Sequence, residues 1–150
     1  MTLLDTFSLA ASISTAIGIP LAVFQIRTAR IDAVRQFEDG FAKEYRELAN
    51  RIPTEALLGV ELSAEQKSKH FDELYRYFDL CNEQIYLRQK ERIRVKTWRF
   101  WCDGMKSNFA KPAFRWAWDK IELTRTKEFS EFRKLAKSEF NDDPKKWRKG

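Results

Sequence analysis

The chain has 150 residues, of which 28 are basic and 22 are acidic, giving a formal net charge of +6. Charged residues make up 33% of the sequence, but its 12 Phe and 5 Trp residues exclude a disordered polar chain. The single histidine excludes a His-rich metal site, and no Gly-rich phosphate loop, Cys-x-x-Cys or His-Glu-x-x-His motif occurs. We therefore expect no cofactor, no bound metal and no enzymatic activity.

The first predicted element is the uncharged segment 6–26, TFSLAASISTAIGIPLAVFQI. As an α-helix it is roughly 31 Å long, about the thickness of the hydrocarbon core of a bilayer. Arg27, Arg30 and Arg35 follow the segment and Asp5 precedes it, and excess Lys and Arg marks the cytoplasmic side. The sequence predicts a single transmembrane helix in a bacterial inner membrane, with the N-terminus outside. A signal peptide and a buried helix of a bundle are the alternatives.

Small and hydroxyl-bearing residues share one face of this predicted helix. They are Ser8, Ala11, Ser12, Thr15, Gly18 and Ala22. Small residues let helices approach closely within a membrane, so this face predicts self-association, with a pore lined by hydroxyls as one arrangement. In the alternative interpretation, the hydroxyls bond to carbonyls of their own helix.

An apolar stripe continues the first helix beyond this segment. It runs from Ile31 to Ile52 at a spacing close to 3.5 residues, and Pro53 is the first strong helix breaker after it. The pattern predicts a long stalk helix that packs on the rest of the chain or on the same helix of another copy. We expect a homo-oligomer whose partners include the lipid bilayer.

Three further helices are indicated by caps and prolines. Ser63 and Gln66 form a capping box for a helix that reaches about Lys90. A second helix spans 95–109, and Pro112 occupies the first position of a third.

A last amphipathic stretch covers 129–140, and no alternating strand pattern occurs anywhere in the sequence. The predicted fold class is therefore all-α: an N-terminal transmembrane helix, its stalk and a cytoplasmic helical bundle. The predicted units are an anchor at 1–30, the bundle at 31–140 and a basic tail at 141–150.

Basic residues concentrate between residues 88 and 106. A basic helical face is predicted at Arg92, Arg94, Lys96 and Arg99. Anionic lipid headgroups and nucleic-acid phosphates both suit such a face, and an ordinary solvated face is the alternative. Helical spacing leaves Phe100 and Trp116 outward, where rings stack on bases. The solvated face is the first interpretation; between the two partners, lipid is favoured over nucleic acid because the chain is predicted to be anchored in a membrane.

A polar cluster lies beside the apolar stripe of the helix that begins at Ser63. It comprises Asp79, Asn82 and Glu83. A buried carboxylate needs a partner, and Arg92 and Arg94 are the candidates. We interpret the cluster as a structural polar network rather than a catalytic site.

Taken in order, these features resemble a known arrangement. The residues that carry the resemblance are the basic exit at 27–35, the run Tyr77-Phe78-Asp79-Leu80-Cys81-Asn82-Glu83-Gln84, the 98–104 helix, Pro112-Ala113-Phe114 and Ala117-Trp118. The chain resembles a family of small, uncharacterised bacterial membrane-anchored proteins. By architecture it is also similar to the membrane accessory protein of type VI-B CRISPR systems, a HEPN-like helical protein that forms a membrane ring in antiviral defence.

The resemblance implies membrane action rather than RNA cleavage. HEPN ribonucleases pair an arginine with a histidine four to six residues later, but Ser63, Ala64 and Glu65 occupy those positions before His70. The leading hypothesis is a membrane-anchored, self-associating protein that forms or gates a pore in phage defence. The alternative is a membrane-tethered binding module that recruits a protein or nucleic acid through the basic helical face.

Overall fold

The computed structural model describes the backbone of residues 3–124 and 127–149 and the side chains of residues 20–124 and 127–147. Within these ranges the chain is helical and has no strand, which confirms the all-α prediction. The elements are α1 (Leu3–Ala49), α2 (Thr54–Leu57), α3 (Ala64–Lys69), α4 (Phe71–Gln89), α5 (Val95–Phe109), α6 (Pro112–Thr124), α7 (Ser130–Lys137) and a C-terminal 3₁₀ helix (Pro144–Lys149).

The structure corrects the prediction of a transmembrane helix at 6–26. Segment 6–26 is part of the continuous helix α1, but none of the described helices combines the length and apolar character that a membrane crossing requires.

The chain divides into two compact units, residues 1–37 and residues 38–150. In the first unit, the described apolar side chains of Leu21, Phe24 and Ile26 are exposed. The second unit contains the core, and Phe41 and Leu48 of the predicted apolar stripe are buried within it, whereas Tyr45 of the same stripe is exposed.

Caps and prolines set several helix ends as the sequence predicts. Both hydrogen bonds of the capping box join Ser63 and Gln66, and α6 begins at Pro112. The helix that opens at Ser63 does not run unbroken to Lys90, however. His70 has φ −105° and ψ 17°, which separates α3 from α4 without any glycine or proline.

Aromatic rings from four helices form the centre of the second unit. Phe78 on α4 lies 5.0 Å from Phe132 on α7 and 5.1 Å from Trp118 on α6, measured between ring centroids. Phe109 on α5 lies 5.5 Å from Phe132. Phe78 and Phe132 are fully buried, so these rings contribute much of the apolar area removed from water.

The C-terminal segment packs on α4. Arg88 of α4 is buried and donates two hydrogen bonds to the Asp143 carboxylate, from Nε at 2.9 Å and from Nη2 at 2.6 Å. Its Nη1 donates to the Ile93 carbonyl at 2.8 Å. Trp147 of the 3₁₀ helix packs against the core. Asp143 and Trp147, which the sequence places in a basic tail, are therefore part of the second unit.

Candidate functional site

Three cations and one aromatic ring lie exposed at the start of α5. We call Arg92, Lys96, Arg99 and Phe100 the α5 patch. Lys96 comes three residues before Arg99 and four before Phe100, so its side chain neighbours both on the helix surface, and Arg92 is in the preceding loop. Within the described residues, none of the three cations forms an ion pair or a side-chain hydrogen bond, and 77% of the Phe100 side chain is exposed. The patch thus offers unneutralised charge beside an open ring.

Arg94, the remaining residue of the predicted basic face, forms an ion pair with Glu38. The buried Glu38 carboxylate accepts hydrogen bonds from the Arg94 backbone N–H at 2.8 Å, the Arg94 guanidinium Nε at 2.9 Å and the Thr97 hydroxyl at 2.7 Å. Burial acts to raise the pKa of Glu38, but these hydrogen bonds prevail and lower it below its ordinary value. Arg94 therefore fixes the first turn of α5 to α1, which positions the α5 patch.

The basic residues near the C-terminus approach the same region. Lys145 Nζ lies 3.9 Å from Glu91 Oε1, directly before Arg92 in sequence. The Arg88 and Lys145 hydrogen bonds lower the pKa of Asp143, although burial acts to raise it. Asp143 therefore carries a charge that holds the C-terminal segment beside the loop before α5.

A cavity of about 420 Å³ lies between the C-terminal half of α1, α4 and α5, entirely within the second unit. Its wall is largely apolar and aromatic. The side chains that matter for binding are Tyr45, Tyr77, Gln84, Phe100, Trp101 and Asn108. Ligand pockets of about 300–1,000 Å³ with few polar groups are the usual form of a small-molecule site.

Gln84 is a nearly buried polar residue in the wall of this cavity. Its side chain is 5% exposed, and within the described residues no hydrogen bond is made by its amide. Asn108, in contrast, donates to the Tyr77 hydroxyl at 3.2 Å and accepts from Lys111 Nζ at 2.6 Å. The amide atoms keep some accessible surface, so they are available to a ligand that offers a donor and an acceptor.

The predicted polar cluster does not form a network with the arginines. Asp79 and Glu83 are exposed, and Asn82 Oδ1 accepts from the Phe132 backbone N–H at 3.0 Å. Partial burial, with Glu44 and Asp79 nearby, raises the pKa of Glu83. Asn82 thus supports the start of α7, whereas the carboxylates face solvent.

The residues predicted for helix association lie mostly outside the described side chains. These are Ser8, Ala11, Ser12, Thr15 and Gly18, whereas Ala22 is described and exposed. Arg27, Arg30 and Arg35, predicted at a membrane exit, are also exposed, and Arg35 lies 3.8 Å from Asp32.

The cavity and the Glu38 interaction are absent from the sequence-based predictions. One sequence signal for the cavity is Gly104, a glycine inside α5 whose missing Cβ leaves open space in the cavity wall. No comparable signal joins Glu38 to Arg94, since they are far apart in sequence. Among the residues with described side chains, no group of three His, Cys, Asp or Glu is placed to hold a metal ion.

The cavity wall also contains Cys81, whose reactivity provides a test of the packing. Burial raises the pKa of the Cys81 thiol to about 12, and burial likewise raises that of Cys102 to about 11. In a Cys102→Ser variant, we expect Cys81 to react with an aromatic disulfide reagent about 1,000-fold more slowly than a free cysteine, because so little thiolate is present. Unfolding in guanidinium should restore the normal rate; fast reaction in the folded protein contradicts the packing.

No family model, curated protein or solved structure matches the chain. The resemblance to membrane-anchored bacterial proteins, including the HEPN-like accessory protein, therefore stays a prediction.

Proposed function

We propose that residues 38–150 form a non-catalytic binding module that holds single-stranded nucleic acid on the α5 patch. The observation that supports this most directly is the placement of unpaired Arg92, Lys96 and Arg99 beside the exposed ring of Phe100. Proteins that bind single strands combine cations that contact phosphates with aromatic rings on which bases stack. The α5 patch has both components on neighbouring positions.

The composition of the α5 surface favours a strand over a lipid surface. A helix that lies on a membrane presents a broad apolar side along with its cations. On the exposed side of α5, Val95 and Phe100 are the large apolar residues and are followed by Asp103 and Ser107, so only a small apolar area is available for insertion into headgroups. One ring beside cations instead suits a strand whose base stacks while its phosphates contact the cations.

The pore hypothesis is not part of this proposal, because it required the transmembrane helix. The proposal keeps the alternative hypothesis, a binding module that recruits nucleic acid through its basic face. It differs from that hypothesis in two ways: it does not include a membrane tether, and Arg94 is not one of the binding residues. Arg94 is excluded because Glu38 neutralises its charge.

The test is binding of a labelled single-stranded oligonucleotide to the full chain, measured by fluorescence anisotropy over a range of salt concentrations. Replacing Arg92, Lys96 and Arg99 together with alanine should weaken binding at least about tenfold, because three phosphate contacts are lost. The slope of log K against log salt should fall by about 2, since each contact to a single strand contributes about 0.7.

A matched control removes the same charge elsewhere. Arg51, Lys127 and Lys137 are exposed and, within the described residues, form no ion pair, so their joint replacement with alanine preserves the net charge of the test variant. The control variant should retain most of the affinity and the salt slope. Equal losses in the two variants contradict a specific patch, and binding only to vesicles of anionic lipid contradicts the choice of partner.

A further inference from the structure

The cavity beside α5 and the α5 patch share one residue, Phe100, which lines the cavity and lies one helical turn after Lys96 on the helix surface. We propose that the cavity receives one nucleobase, preferentially adenine, from the strand held on the patch. This inference rests on the proposed function, because the patch must first hold the strand whose base enters.

The wall of the cavity suits a flat aromatic group. Tyr45, Phe100 and Trp101 contribute rings from α1 and α5, and Phe41 and Trp101 lie 6.0 Å apart, so the Trp101 indole is supported from behind by packing. Unstacked bases are commonly held between such side chains. The volume of about 420 Å³ accommodates a base with part of its sugar.

Gln84 distinguishes a base from a hydrocarbon. Its side-chain amide offers a donor and an acceptor side by side, and an apolar ligand would cover both without pairing either. Adenine presents the complementary pair, an exocyclic amino donor next to a ring-nitrogen acceptor, which glutamine binds with two hydrogen bonds. Gln84 is therefore the specificity-determining residue of the proposed site.

The charges at the cavity mouth favour entry of a neutral group. Arg46 and Asp103 line the opening, both are exposed, and their opposite charges offset one another. The base can enter while its phosphates remain with Arg92, Lys96 and Arg99. A ligand that carried its own charge into the cavity would find no oppositely charged buried partner among the lining residues.

Filling the cavity gives the first test. A side chain added at Gly104 meets nothing within 4 Å at its Cβ position and borders the cavity, so Gly104→Leu should be tolerated and should occupy the site. Gly40→Leu is the matched control, because Gly40 is also helical with open space at Cβ but does not line the cavity. We expect Gly104→Leu to bind oligo(dA) about tenfold more weakly than the control, as the loss of one stacked base requires.

Removing the amide gives the second test. Gln84→Met preserves the length of the side chain and removes its donor and acceptor. We expect this variant to lose the preference for oligo(dA) over oligo(dT) while its affinity for oligo(dT) is unchanged. The Gln84 amide has no hydrogen-bond partner within the described chain, so the substitution should not lower the melting temperature. An unchanged melting temperature shows that the altered preference does not arise from unfolding.

The outcomes separate the two proposals. If the unchanged protein binds neither oligonucleotide, the proposed function fails and this inference fails with it. If binding depends on Arg92, Lys96 and Arg99 but Gly104→Leu binds as tightly as Gly40→Leu, the function stands and the base site is overturned. If Gly104→Leu weakens binding and Gln84→Met leaves the oligo(dA) preference intact, the selection of adenine by Gln84 is overturned.

Discussion

Replacing Asp143 with alanine is expected to lower the free energy of unfolding by about 3 kcal/mol, because it leaves the Arg88 guanidinium buried without its anionic partner. Breaking a fully buried pair costs about 3–5 kcal/mol, and the lower end applies since Asp143 is partly exposed. Arg88 keeps its bond to the Ile93 carbonyl, which cannot neutralise its charge. The C-terminal 3₁₀ helix should detach from α4 before the rest of the second unit unfolds.

Urea unfolding monitored by tryptophan fluorescence measures this effect, with hydrogen exchange locating the loss at residues 143–149. The matched control is Asp142→Ala, which removes the neighbouring carboxylate. Asp142 accepts only an exposed hydrogen bond from Trp147 Nε1 at 3.3 Å, so its loss should cost less than about 1 kcal/mol. Equal losses in the two variants would show that Arg88 finds another partner and that its burial does not depend on Asp143.

Sequence reasoning succeeded where structure depends on neighbouring residues. The bounds 95–109 of α5, the capping box at Ser63 and the start of α6 at Pro112 all follow from local caps, breakers and helical periodicity. These features depend on residues that are close in sequence and not on tertiary contacts.

The ion pairs could not be derived in this way. Glu38 pairs with Arg94 and Arg88 with Asp143 across more than 50 positions, and no local pattern links residues so far apart in sequence. The polar residues 79–83 seemed the natural partners of Arg94, but α4 turns Asp79 and Glu83 to solvent. The cavity is equally non-local, since it arises where α1, α4 and α5 fail to fill the space beside Gly104.

The sequence places the end of α4 near Lys90, but it does not predict the left-handed non-glycine residues that follow α4 and α7. Glu91 ends α4 with φ 60°, and Glu139 and Phe140 follow α7 with φ 54° and 62°. Non-glycine residues adopt this left-handed conformation at a cost that only surrounding packing offsets. For Phe140 that packing is visible in its ring, which lies 5.5 Å from that of Phe109.

Replacing Glu38 with glutamine is expected to lower the free energy of unfolding by about 3 kcal/mol at neutral pH. The carboxylate accepts all of its hydrogen bonds from Arg94 and Thr97, and charge-assisted bonds of this kind contribute about 1.5–3 kcal/mol. In the Glu38→Gln variant, the side-chain NH₂ group is itself a donor and cannot accept the hydrogen bonds that Arg94 and Thr97 donate to the carboxylate. Asp39→Asn, at the adjacent exposed carboxylate, should change the stability by less than about 0.5 kcal/mol.

The pH dependence of unfolding distinguishes the loss of the Glu38 charge from a change in packing caused by the substitution. Because the folded-state pKa of Glu38 is lowered, its contribution is present above the unfolded-state value, about 4.3, and disappears as the pH falls through the folded-state pKa. Unfolding in urea between pH 7 and pH 3 should therefore show a smaller acid-induced loss of stability for Glu38→Gln than for the unchanged protein. The slope that remains belongs largely to Asp143, whose pKa is lowered in the same direction. Parallel curves for the two proteins would mean that the Glu38 charge does not hold α5 to α1, and the α5 patch would then lack the support on which its proposed function depends.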